Sequence, residues 1–186
     1  MHDLAKRFAH NPILRPADVK PSRPGLGIEC LLNPGVFRYQ GKTGLLLRVA
    51  ERPVQEPGWI SMPIVDPDSP GGVKILRFAT DDPKLDHSDP RIIFYDGVGY
   101  LTTLSHLRLA WSNDGRHFTP DASPTLTGQG DLQTYGVEDA RVAQIARTYY
   151  LTYTAVSPAG VAVAPTRPAD WKTFTQHGLI FPPPNK

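Results

Sequence analysis

The residues of this chain best suited to chemistry are the adjacent carboxylates Glu138 and Asp139, followed by Arg141. On an extended strand, residues two apart point to the same side. Asp139 and Arg141 would then share a face, where the guanidinium orients the carboxylate and favours its charged form. A carboxylic acid fixed in this way can hand a proton to a departing oxygen, as cleavage of a glycosidic bond requires. The same two residues would serve equally as a structural ion pair capping the strand. Asp89 and Arg91 repeat the spacing 50 positions earlier, with Asp86 and His87 just before them. They offer a second carboxylate for sugar hydroxyls, or a second structural pair.

Other candidates are neutral or basic. Asn33 is a hydrogen-bonding group at the opening of an earlier, similar stretch. Arg48 ends the apolar run from Gly44, where a charge is unexpected without a task. Ser105, His106 and Arg108 are candidate hydroxyl binders. Tyr135, just before the carboxylates, is the aromatic best placed to line a pocket. Trp111 and Trp171 read as core. Asp86 and His87 lack a third ligand at a recognisable spacing, so no metal is expected. No glycine-rich phosphate loop, serine-centred elbow or HExxH motif occurs.

The elements that must position these groups are short strands. Three stretches share one pattern, opening at Asn33, Asp89 and Asp139. The second and third align at an offset of 50, through Arg91/Arg141, Tyr100/Tyr150 and Leu101/Leu151. The first and second align at an offset of 56, through Pro34/Pro90, Tyr39/Tyr95, Gly41/Gly97 and Leu45/Leu101. Repeats of this length, with several strands each, suggest propeller blades whose equivalent strand starts face one axis. Residues 1–27, rich in proline and basic residues, read as an N-terminal arm, and residues 28–186 as the propeller domain. Residues 51–72 read as a long loop with five prolines. Pro168 to Trp171 is the one place where a helical turn is expected.

Bulk composition narrows the classes. The 186 residues are enough for one domain with a core. The 20 prolines and 16 glycines, with short aromatic and β-branched runs, favour an all-β chain. A formal net charge of +2 with no basic stripe argues against nucleic acid. No apolar run approaches a membrane span. Cys30 is the only cysteine, which excludes an internal disulfide and fits a reducing, cytoplasmic setting.

Taken together, the chain resembles glycoside hydrolase family 130, the β-mannoside phosphorylases and β-mannosidases. The matching stretches are Asn11-Pro12-Ile13-Leu14, Asn33-Pro34 with Leu47-Arg48-Val49, and Ser112-Asn113-Asp114-Gly115. They continue through Gly136-Val137-Glu138-Asp139-Ala140-Arg141 and Tyr149-Tyr150-Leu151-Thr152-Tyr153-Thr154. The resemblance implies a five-bladed β-propeller with its site on the axis, of which two to three blades, roughly the first half, are expected here. It implies that Asp139 is the proton donor, acting in the phosphorylases through a sugar hydroxyl. Asn33 and Arg48 match positions lining the sugar and phosphate subsites. Asn185-Lys186 resembles the start of a motif with a basic phosphate contact, so Lys186 is a second expected phosphate ligand. The chain departs from the family at Ala140, where proline is usual.

The resulting expectation is an inverting enzyme, or the N-terminal portion of one, acting on β-mannoside oligosaccharides. Asp139 would be catalytic. Asn33, Arg48, Asp89, Arg91, Tyr135, Glu138, Arg141 and His106 would bind substrate. Inorganic phosphate is a possible co-substrate, and no metal or organic cofactor is implied. Open sheet edges would leave a homo-oligomer possible. The rival expectation is a sugar-binding propeller without catalysis, or an inactive remnant.

Overall fold

In a computed structural model the described residues are 7–185. The strands are β1 (Leu26–Tyr39), β2 (Lys42–Pro53), β3 (Trp59–Val65), β4 (Val73–Ala79), β5 (Leu85–Asp86), β6 (Ile92–Tyr95), β7 (Val98–Leu101), β8 (Leu104–Ser112), β9 (Thr119–Pro120), β10 (Val137–Ile145), β11 (Thr148–Ser157), β12 (Gly160–Pro168) and β13 (Phe174–Gln176). Among the described residues the only helical elements are three 3-10 turns, and no helix is long and apolar enough to cross a membrane. The chain is all-β, as its composition indicates. The long loop expected over 51–72 contains β3, which pairs with β4 and tolerates Pro63 in an isolated two-stranded ribbon. The helical turn expected at Pro168–Trp171 is instead a tight turn, in which the Asp170 carboxylate accepts from the amides of Lys172 and Thr173.

The repeats hold at the level of register. Tyr39 pairs with Lys42, Tyr95 with Val98, and Ile145 with Thr148. Val36/Leu45, Ile92/Leu101 and Val142/Leu151 pair in the same order, so each repeat is one hairpin in one register. The third strands differ. β12 follows β11 locally, giving a sheet β10-β11-β12-β13. β8 does not join the short β6–β7 hairpin but crosses to β2, giving a sheet β1-β2-β8-β9. The redirection has a local cause: the Thr102 hydroxyl and amide bond back to Pro90 and Arg91 carbonyls, and the chain leaves β7 at once. β8 is buried along nearly its whole length, which suits a central strand covered on both faces. The result is two four-stranded antiparallel sheets, one three-stranded sheet and one ribbon, without a closed ring among the described residues.

The main core lies between the two large sheets. Phe37, Leu46, Leu107 and Leu109 from one meet Val137, Leu151, Tyr153 and Ala164 from the other. The Phe37 ring stacks on Trp171 with centroids 3.6 Å apart. Opposite Phe37, Gly44 leaves the ring its space, since a Cβ there would lie 2.4 Å from it.

The other face of the first sheet carries Leu45, Leu47, Val49 and Ala110, covered by Ile13, Leu14 and Val19 of the N-terminal segment. Polar contacts fasten that segment. The fully buried Arg108 donates from Nη1 to the Lys20 carbonyl at 2.7 Å. Glu51, 2 % exposed, accepts from both the amide and the hydroxyl of Ser22, and His106 Nδ1 lies 3.5 Å from it. Burial holds the His106 imidazole below its ordinary value, against the pull of Glu51. For Glu51, burial pushes its pKa up, but bonds from His106 and Ser22 outweigh this and hold it down.

Both groups therefore bind protons less readily folded than unfolded, so stability falls as pH drops. The loss begins below the ordinary imidazole value of about 6.5 and deepens below the carboxyl value of about 4.3. Thermal melts from pH 8 to pH 4 should show this decline. His106→Gln should flatten the slope between pH 7 and pH 5; an unchanged slope in that variant would contradict the account.

Candidate active site

Two matching β-bulges build the site. In β1, Asn33 and Pro34 together oppose Leu47, because pairing jumps from Leu32/Arg48 to Gly35/Leu46. In β10, Asp139 and Ala140 together oppose Tyr153, because pairing jumps from Glu138/Thr154 to Arg141/Thr152. Bulges re-aim side chains and leave one residue outside the ladder. Asn33 and Asp139 both take left-handed backbone conformations, with φ of 34° and 50°. Asn and Asp are the side-chain-bearing residues that adopt that region most readily. The bulges sit back to back: a Cβ on Gly35 would lie 3.1 Å from the Ala140 carbonyl oxygen.

Across this junction the side chains converge. Asn33 Nδ2 donates to Asp139 Oδ1 at 2.9 Å. Arg48 donates from Nη1 to the same oxygen at 3.1 Å, and from Nη2 to Glu138 Oε1 at 2.6 Å. Its Nε donates to Ser105 Oγ at 3.1 Å, and that hydroxyl lies 3.3 Å from Glu138 Oε1. Side-chain exposures of 19 % for Arg48 and 13 % for each carboxylate leave the cluster reachable from solvent. Two carboxylates against one guanidinium give the cluster a net charge of −1 when both are ionised. A cavity of about 560 Å³ lies on the segment-covered side of β1 and β2, lined by Ile13, Leu14 and Leu47; of the cluster only Asn33 borders it.

The remaining candidates lie elsewhere or act differently. Arg141 donates from Nη1 to the Ala140 carbonyl at 3.0 Å and the Asp139 carbonyl at 3.5 Å. The same-face rule that would align Arg141 with the Asp139 side chain is interrupted by the bulge between them. Asp89 and Arg91 sit in the loop before β6, paired at 2.8 Å, with the arginine side chain 86 % exposed. Hydrogen bonds from the Arg91 side chain and amide hold Asp89 at about 2. His106 points to the arm-covered face, opposite Ser105. Tyr135 is buried and its hydroxyl donates to the Gly99 carbonyl at 2.5 Å, tying β7 to the start of β10. Burial pushes that phenol up to about 12. Lys186 lies outside the described residues. Among the described residues, no group of three or more His, Cys, Asp or Glu is arranged to hold a metal.

One pairing and one residue were not read from the sequence. The guanidinium on the Asp139 carboxyl comes from Arg48, 91 positions away. Arg48 itself was a candidate, as a charge in an apolar run, but it lies in the middle of β2 rather than at a strand end, and its partners could not be read from the sequence. Gly136 is the other. With φ of 92° it bridges to Ser105, and a Cβ there would lie 2.2 Å from the Ser105 carbonyl oxygen. Only glycine lets β10 start against β8, which brings Glu138 to Ser105.

Known proteins resemble this chain in sequence and in fold. The family profile described as β-1,4-mannooligosaccharide phosphorylase, glycoside hydrolase family 130, matches residues 88–185. The chain belongs to glycoside hydrolase family 130. The β-1,2-mannobiose phosphorylase of Listeria innocua is 42% identical over 184 residues, 97% of this chain and 52% of that protein. Its structure in complex with β-1,2-mannobiose matches with a TM-score of 0.88 at 41% identity, again over 97% and 52%. A glycosyl hydrolase from Bacteroides ovatus matches with a TM-score of 0.52 at 20% identity, over 81% of this chain and 32% of that one. The chain thus spans about half the length of its family 130 relative from Listeria.

Gly136→Ala should cost about 3 kcal/mol in urea unfolding, from backbone overlap added to left-handed strain. Gly97→Ala, also at positive φ but facing open space in the two-residue turn between β6 and β7, should cost only about 1 kcal/mol. Equal costs at the two positions would remove the case for close contact at Gly136.

Proposed function

We propose that this chain provides the acid-bearing part of the site of an inverting β-mannoside phosphorylase. The observation that carries the reading is the Asn33–Asp139–Arg48–Glu138 cluster, in a chain 42% identical to a β-1,2-mannobiose phosphorylase. Asp139 serves as proton donor. Asn33 and Arg48 converge on its Oδ1 and fix the carboxyl plane, so its orientation is set before substrate arrives. Glu138, held by Arg48 and Ser105, accepts from sugar hydroxyls. Inorganic phosphate attacks the anomeric carbon from the face opposite the departing sugar. The C–O bond to the leaving sugar breaks as the bond to phosphate forms, the leaving oxygen takes up the proton, and mannose 1-phosphate is released. No metal or organic cofactor takes part. In this reading the two four-stranded sheets are neighbouring blades of the five-bladed ring that the family resemblance implies, with the bulges at its hub.

Incubating a complete five-bladed enzyme that contains this chain with β-1,2-mannobiose and inorganic phosphate should yield mannose 1-phosphate. Asp139→Asn should lower kcat by about 10²–10⁴-fold while mannobiose affinity stays within about threefold. Free mannose as the sole product would make the reaction a hydrolysis. Undiminished turnover in the variant would remove Asp139 from the donor role. Binding with no product at all would favour the sugar-binding module.

A further inference from the structure

At the far ends of the same strands lies a second cleft, formed from both large sheets. Its walls are Tyr39 and Trp111; its rim is Gln40, Lys42, Asp170 and Lys172. Tyr39 is six residues along β1 from Asn33, which places the cleft about 20 Å from the carboxylate cluster. Its volume is about 380 Å³, and a smaller hollow of about 170 Å³ continues past Trp111 towards Asn113 and Thr119.

The aromatic walls are already in place. Tyr39 and Trp111 are half-buried, with ring centroids 6.2 Å apart and planes tilted by 44°. Phe37 meets Trp111 edge-on at 5.5 Å, and Tyr149 meets Tyr39 at 5.9 Å. Neither ring must be ordered by a ligand, so little entropy is lost when one binds. The rim is polar and available. Among the described residues, no hydrogen bond within the protein engages the Gln40 amide, the two ammonium groups or the Tyr39 hydroxyl. The Asp170 carboxylate is fixed by two backbone amides through Oδ1.

This combination selects a chemical class. A purely apolar ligand would leave the rim groups without partners. A phosphate ester would suit the lysines but meet the Asp170 carboxylate. A pyranose ring presents a face of C–H bonds to an aromatic plate and hydroxyls around its edge, and it satisfies both walls and rim. We infer that the Tyr39–Trp111 cleft is a second, non-catalytic binding site for a neutral hexopyranoside, remote from the carboxylates.

The three tryptophans give three indole N–H resonances, so titration with β-1,2-mannobiose can be followed by ¹H–¹⁵N correlation spectra. The Trp111 signal, assigned as the one lost in Trp111→Phe, should shift with a Kd of about 1 mM. The shift should persist in Asn33→Ala/Asp139→Asn, which isolates it from the carboxylate site. Gln40→Ala with Asp170→Asn should weaken it about tenfold, since Asn preserves the turn but two rim partners are altered. An unmoved Trp111 signal would overturn the inference, as would a shift that disappears with the Asn33/Asp139 variant. Tighter binding of mannose 1-phosphate than of mannobiose at Trp111 would make the cleft an anion site and overturn the neutral-sugar assignment.

Discussion

One guanidinium joins the two halves of this molecule's polar centre. Arg48 extends from the second strand of one sheet to both carboxylates at the start of the other, and holds Ser105 on the way. The planar fork is what makes this possible: three nitrogens reach three side-chain partners from one rigid group, a geometry that a lysine ammonium does not offer. The apolar core sets the sheets face to face, but side chains alone would not fix their offset to within a hydrogen bond. Arg48 does so, and its charge also offsets part of the repulsion between Glu138 and Asp139.

The bulges supply what the guanidinium needs. In a regular ladder Asp139 would alternate with its neighbours across the sheet. The extra residue turns it out of the ladder, and its counterpart Asn33 is turned out by the same device on the neighbouring sheet. The repeat has been kept in backbone form and altered in chemistry: an amide donor stands at one position and a carboxylate acceptor at the other. That difference lets the two equivalent residues bond to each other, where two carboxylates would repel.

Much of this was readable from the chain. The hairpin registers follow directly from the offsets of 50 and 56, and the acidic motif was located by its residue types. What escaped was non-local or lay below the reach of pattern. Strand periodicity joins Asp139 to Arg141, but a bulge changes the count and cannot be seen in residue types alone. β8 reads as the continuation of the second repeat, whereas its partner is the strand ending at Pro53. His106 and Ser105 are adjacent in sequence yet belong to opposite faces, one fastening the N-terminal segment and the other facing the carboxylates. Gly136 carries no chemistry, so its importance appears only once two backbones are seen to touch.

The order β1-β2-β8-β9 also bears on assembly. Residues 54–103 leave the first sheet and return to it, so the edge of β2 stays unpaired until β8 has been made. Contacts with that sequence separation close slowly, because the intervening loop must lose its freedom first. During synthesis, that edge is the stretch where a nascent chain is most open to mispairing. The same excursion is a place where evolution can lengthen or reshape the polypeptide, because Asn33, Arg48, Glu138 and Asp139 all lie outside it.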